Sequence, residues 1–114
     1  MVRSTVRLMT SNTPIRHIVL FKFNAATSAA VIAELSQAFA ALPKLIEGVT
    51  AFEAGENNSP EGLSRGFTHA FALTFVNAAA RDHYLPHAHH QAFVEHLKPH
   101  LEDVLVIDYD LALP

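Results

Sequence analysis

Residues 15–23 read IRHIVLFKF, and the alternation within this stretch decides the fold. Successive side chains on a strand point to opposite faces, so Ile15, His17, Val19, Phe21 and Phe23 share one face. Arg16, Ile18, Leu20 and Lys22 share the other. Both faces are apolar in their middle, which marks a central strand covered on both sides.

Working outward, Thr27 or Ser28 caps a helix that begins near Ala29. Ile32, Leu35, Phe39 and Leu42 form its apolar stripe, and Pro43 is expected to stop it. Gly48 leads into a second strand over 49–54. The run GENNSPEG, residues 55–62, carries only turn signals. Residues 65–76, RGFTHAFALTFV, form a long third strand with Phe67, His69, Phe71, Leu73 and Phe75 on one face and small residues on the other. Asn77 caps a short helix through Tyr84, and Pro86 breaks it. A further helix over 87–97 aligns His90, Phe93, Val94 and Leu97 on one stripe. Residues 104–111, VLVIDYDL, form a fourth strand with Val104, Val106 and Asp108 on one face.

The order β-α-β-β-α-β predicts an α+β, ferredoxin-like antiparallel sheet. Its first and third strands lie in the middle, the fourth beside the first and the second beside the third. Helices cover one face. The face carrying Ile18, Leu20, Ala70 and Ala72 is left bare, too apolar to stay wet, and a second copy is its simplest cover. Residues 15–112 are read as one domain, preceded by a flexible extension over 1–14.

Composition narrows the function. The chain has 114 residues, half of them apolar and 17% charged, with net charge −3 and no basic run, so nucleic acid is not an expected partner. The absence of cysteine excludes disulfides, thiolate catalysis and thiolate metal sites, and fits a cytoplasmic protein. No apolar run approaches the ~18 residues that span a bilayer, so no membrane role is expected. The GENNSPEG loop lacks a phosphate-cradling pattern, and nothing points to a haem or flavin, so no cofactor is expected.

There are eight histidines, six of them between His83 and His100. His83 and His87, His87 and His90, and His96 and His100 stand three or four apart, a metal-binding spacing on a helix. Prolines interrupt both stretches and no carboxylate falls at a matching position, so no evolved metal site is expected.

The segments HIVLFKF (17–23), Leu42-Pro43 followed by Gly48, FTHAFALTF (67–75), RDHYLPHAHHQAF (81–93) and VLVIDY (104–109) together resemble the stress-responsive A/B barrel domain family. Ala88 departs from that pattern, which usually has proline there. The resemblance implies a ferredoxin-like protomer that pairs into a dimeric α/β barrel. Many family members have no known activity, and some plant members are stress-induced proteins. One is a plant polyketide cyclase that performs an aldol condensation with a histidine–tyrosine pair. On that resemblance His90 matches the catalytic histidine, Tyr84 the catalytic tyrosine and Asp108 the supporting aspartate. His87, His17 and His69 match further site histidines.

The strand faces lead part of the way to the same group. His17 and His69 are expected as neighbours in an apolar pocket lined by Val19, Phe21, Leu35, Phe39, Phe71, Val104 and Val106. His90 points at the same space from its helix, and Asp108 is expected to hydrogen-bond to it. Such a set suits cofactor-free proton abstraction beside a carbonyl, as in a cyclase or lyase, on a small apolar ligand. The alternatives are a non-catalytic stress-induced barrel or ligand-binding protein and, more remotely, a cofactor-free monooxygenase on a similar fold.

Overall fold

The computed structural model describes residues 12–111. Residues 1–11 of the expected extension, and residue 112 at the end of the expected domain, lie outside them. Strands β1 (Ile15–Phe23), β2 (Val49–Glu56), β3 (His69–Phe75) and β4 (Leu101–Asp110) form one antiparallel sheet in the order β2-β3-β1-β4. Helices α1 (Ala29–Leu45), α2 (Ala78–Tyr84) and α3 (Ala88–Leu97) complete the ferredoxin-like arrangement, and a single 3₁₀ turn, Lys98–His100, leads into β4.

Local chemistry sets most element ends. The Ser28 hydroxyl accepts from Val31 N at 3.2 Å and caps α1. Asn77 Oδ1 accepts from Ala80 N at 2.9 Å and caps α2. Gly48 turns the chain from α1 into β2 with φ +101°, and a Cβ there would stand 2.7 Å from that of Ala80, so both conformation and space demand glycine.

Four boundaries differ from expectation by two residues or more, the first being the end of β2, which runs on to Glu56 and takes in the start of the expected GENNSPEG loop. Pro43 does not stop α1, which runs to Leu45, because Phe39, Leu42 and Ile46 are buried and hold the last turn onto the sheet. The third strand begins at His69 rather than Arg65, because Arg65 (φ 58°) and Gly66 (φ 84°) turn left-handed just before it. The fourth begins three residues early, at Leu101.

The core lies between the sheet and the helices. Ile15, Val19 and Phe21 of β1 and Phe71, Leu73 and Phe75 of β3 pack under Leu35, Phe39 and Leu42 of α1 and Phe93 and Leu97 of α3. Phe39 is the hub, with ring centroids 4.6 Å from Phe71, 4.9 Å from Phe93 and 5.8 Å from Phe21. None of these three helices covers the opposite sheet face. On it Leu105, Ile107 and Tyr109 are 38%, 55% and 47% exposed.

Candidate active site

The antiparallel register of β1 with β4 sets His17 opposite Asp108, Val19 opposite Val106 and Phe21 opposite Val104. All six therefore share the helix-facing side. His17 is buried, and its Nδ1 lies 2.6 Å from Asp108 Oδ1. An ionised carboxylate only accepts, so Nδ1–H donates, and in the neutral ring Nε2 then carries the lone pair. The second carboxylate oxygen, Oδ2, accepts from Arg81 Nη1 at 3.1 Å, and Arg81 Nε donates to Asp82 Oδ1 at 2.9 Å. These bonds, Asp82's first and Asp108's second, raise the pKa of the Arg81 guanidinium.

His90 is fixed in the same sense by a different acceptor. Its Nδ1 is 2.8 Å from the Leu85 carbonyl oxygen, which can only accept, so its Nε2 also carries the lone pair. Desolvation in this half-buried position lowers its pKa; the Leu85 bond opposes that shift and the nearby His17 adds to it.

Between these imidazoles stands Tyr84. Its ring is fully buried, 4.6 Å from that of His90 and 6.4 Å from that of His17. Its hydroxyl finds no hydrogen-bond partner among the described residues, and burial pushes its pKa well up. A buried hydroxyl without a partner costs about 1–3 kcal/mol, so its presence calls for a reason.

A cavity of about 290 Å³ opens beside this group. Its walls are His17, Val19 and Phe21 of β1, Phe39 of α1, Leu85 before α3, His90, Phe93, Val94 and Leu97 of α3, and Leu101, Val104 and Val106 of β4, with Lys98 alongside. Val104 and Val106 are 45% and 53% exposed, so the β4 side is the mouth.

The structure corrects several expectations. Asp108 pairs with His17 and Arg81 rather than with His90, whose Nδ1 is taken by Leu85. His69 shares the face of His17 but sits opposite Phe21, four strand residues away, which is roughly 13 Å. It packs on Phe23, and its Nδ1 bonds the Thr68 hydroxyl. His87 caps α3, its Nδ1 accepting from His89 N at 3.1 Å. Neither lines the cavity, and Leu35 and Phe71 are core residues behind it. Tyr84 touches both cavity histidines without forming part of the wall.

Arg81, Leu85, Lys98 and Leu101 were not anticipated around the site, whereas Phe93, Val94 and Leu97 stand on the stripe expected for His90. Arg81 could have been found, since it stands three residues before Tyr84 and so shares its helix face. Among the described residues no group of three or more histidine, aspartate or glutamate side chains is arranged to hold a metal ion. No helix among them is long and apolar enough to cross a membrane.

Comparison with known proteins matches this architecture. The model of the stress responsive A/B barrel domain fits residues 15–111. The stress-response A/B barrel domain-containing protein HS1 of Arabidopsis thaliana is 38% identical over 96 residues, covering 84% of this chain and 88% of that protein. The crystal structure of At3g17210 from Arabidopsis thaliana superposes with a TM-score of 0.83 at 36% identity, covering 88% of this chain and 97% of that one. Hydroxynitrile lyase from Passiflora edulis also superposes at 0.83, covering 90% and 99%, but at 22% identity that likeness speaks for the fold alone. A protein from Jannaschia described as dimeric and ferredoxin-like superposes at 0.76 with 25% identity, covering 86% and 99%. With the family's model spanning the whole described sheet and its helices, the chain belongs to the stress-responsive A/B barrel domain family.

Proposed function

We propose that the chain binds a small, mostly apolar carbonyl compound in the cavity between β1, β4 and α3, and carries out cofactor-free acid–base chemistry on it. The observation that carries this reading is the fully buried Tyr84 hydroxyl, without a partner among the described residues, beside two imidazoles whose Nδ1 atoms are both engaged, which leaves each Nε2 to a ligand. Two acceptors and one donor suit a ligand with an acidic C–H next to a carbonyl oxygen.

His17 Nε2 takes the proton from the carbon beside the carbonyl. The C–H electron pair becomes the enolate double bond, and the carbonyl π pair moves onto oxygen. The Tyr84 hydroxyl, buried behind the wall against both imidazoles, donates to that oxygen once the ligand displaces the packing in front of it. Asp108 keeps His17 in the productive tautomer, as the aspartate does in a Ser-His-Asp triad. The proton held on His17 Nε2 later returns to the product, while His90, neutral because its pKa is lowered, accepts a hydrogen bond from the ligand at Nε2.

We also infer that the bare sheet face meets a second copy of the chain. Leu105, Ile107 and Tyr109 are exposed there, beside the strands that carry Ile18, Leu20, Ala70 and Ala72. A monomer in water does not leave such a row uncovered without cause.

The test is turnover of β-dicarbonyl and short polyketide substrates by wild type, His17→Ala and Tyr84→Phe. His17→Ala is expected to lower the rate by about 10²–10⁴-fold, the contribution of a positioned general base. An unchanged rate ends the mechanism. Binding of these compounds with no turnover by the wild type replaces it with a ligand-binding role.

A further inference from the structure

Gly55 lies inside β2, and nothing in its own protomer asks for glycine there. Its φ is not positive, unlike that of Gly48, Gly62 and Gly66. A Cβ at this position would meet no atom within 4 Å. Glycine weakens a strand interior, and often marks the close approach of something from outside the sheet. Gly55 stands on the bare face, at the end of a row that runs Gly55, Ala70, Leu20, Leu105 across the four strands. The next row runs Glu53, Ala72, Ile18, Ile107. The face is therefore low over β2 and β3 and high over β1 and β4. Two open depressions, of about 510 and 350 Å³, border the low half, and Gly55 and Ala70 line both. Leu63 and Phe67 of the loop between β2 and β3 wall the larger one.

We propose that a second copy seats its β4 ridge in this trough, with Leu105 over Gly55 of the partner subunit. This rests on the reading that a second copy covers the bare face, and adds which halves meet. A two-fold axis running along the strands, between β3 and β1, exchanges the low half with the high half. Each copy then fills the other, and every contact occurs twice, as an isologous interface requires. A two-fold axis running across the strands would instead set β4 on β4. Leu105 and Ile107 would meet their own copies, while the space over Gly55, Ala70 and Ala72 stayed empty. Overlap and voids both cost stability in a packed interface. Glu53 is the charge within the trough, and it stands on the edge strand β2, where its carboxylate reaches water past the sheet edge.

The experiment is a size swap, read as dimer dissociation constants by analytical ultracentrifugation. Gly55→Leu fills the trough and is expected to weaken the dimer at least about tenfold, the effect of overpacking a close-packed contact. Leu105→Ala leaves a void in the same contact and also weakens it. The double variant, Gly55→Leu with Leu105→Ala, is expected to bind more tightly than Gly55→Leu alone. In one protomer these residues are three strands apart, about 14 Å, so such a rescue passes between copies. A Gly55→Leu dimer as tight as wild type overturns the proposal, and so does a double variant with no recovery. A monomeric wild type overturns it together with the reading of the bare face. A dimeric wild type indifferent to Gly55→Leu removes only the pairing of halves. If Gly55→Leu does not fold, Gly55→Val, a residue that strands favour, takes its place in both arms and the same outcomes decide.

Discussion

His17 and Asp108 face each other across the β1–β4 register, with Nδ1 2.6 Å from Oδ1. Adjacent strands hold them, so no helix movement is needed to form the pair and the backbone ladder fixes its geometry.

Asp108→Asn tests what the pair contributes. The amide can still accept from His17 through its oxygen, but its NH₂ then meets Arg81 Nη1, donor against donor. The expected loss is about 1–3 kcal/mol, the cost of leaving a charged hydrogen-bonding group unsatisfied. Urea unfolding of wild type and variant measures it. An unchanged midpoint would mean that the carboxylate adds nothing to the fold.

Tyr84→Phe is expected to separate stability from activity. The hydroxyl is buried without a partner, so its removal relieves a desolvation cost and should raise the unfolding free energy by about 1 kcal/mol. The same change removes the oxyanion donor, so turnover falls. A gain of stability with a loss of rate is the mark of a polar group retained for function. A loss of stability instead would show that the hydroxyl has a partner in solution.

The fold was legible because the alternation in 15–23 and 65–76 assigns each side chain to a face without any tertiary knowledge. Those faces held: His17, Val19 and Phe21 are buried under the helices, and Ile18, Leu20, Ala70 and Ala72 are on the bare side. The partner of Asp108 was not legible, because alternation fixes the face and leaves the offset between strands open. The offset is set by the whole β1–β4 ladder and its irregularity between Lys22 and Phe23. His69 was misjudged as a neighbour of His17 for the same reason, since facing the same way says nothing of distance along the strand. His90 was seen to face the pocket, but its bond to Leu85 depends on the turn at Leu85–Pro86, which carries no periodic signal.

His90 also makes stability depend on pH. Its pKa in the folded chain is below the ordinary value of 6.5, chiefly through desolvation. Below pH 6.5 the unfolded chain takes up this proton before the folded one does, so unfolding is favoured. The stability from a neutral His90 is present above pH 6.5 and is lost as pH falls through its lowered folded pKa. The charged or ionisable groups near it are His17, Tyr84 and Lys98. His90→Gln removes this proton uptake. Denaturant midpoints followed downward from pH 7 should fall less steeply in the variant than in wild type. Parallel curves would show that His90 titrates alike in both states.

Val106 and Ile107 are consecutive on β4, so they point to opposite faces and give independent access to the two proposed surfaces. Val106, opposite Val19, lines the cavity and is 53% exposed at its mouth. Ile107, opposite Ile18, stands 55% exposed on the bare face. Neither is core, so a charge at either position should leave the protomer folded. Val106→Glu places a carboxylate in the apolar mouth and is expected to weaken binding of an apolar fluorescent probe at least tenfold, which corresponds to about 1.4 kcal/mol. It should leave the sedimentation coefficient unchanged. Ile107→Glu sets two like charges into a dimer interface and is expected to give monomers at micromolar concentration. Its isolated protomers should still bind the probe in the cavity, since every named wall residue belongs to one chain. Dimers persisting in Ile107→Glu would move the interface off this face. Probe binding lost in both variants would mean that the cavity is completed only by the second copy.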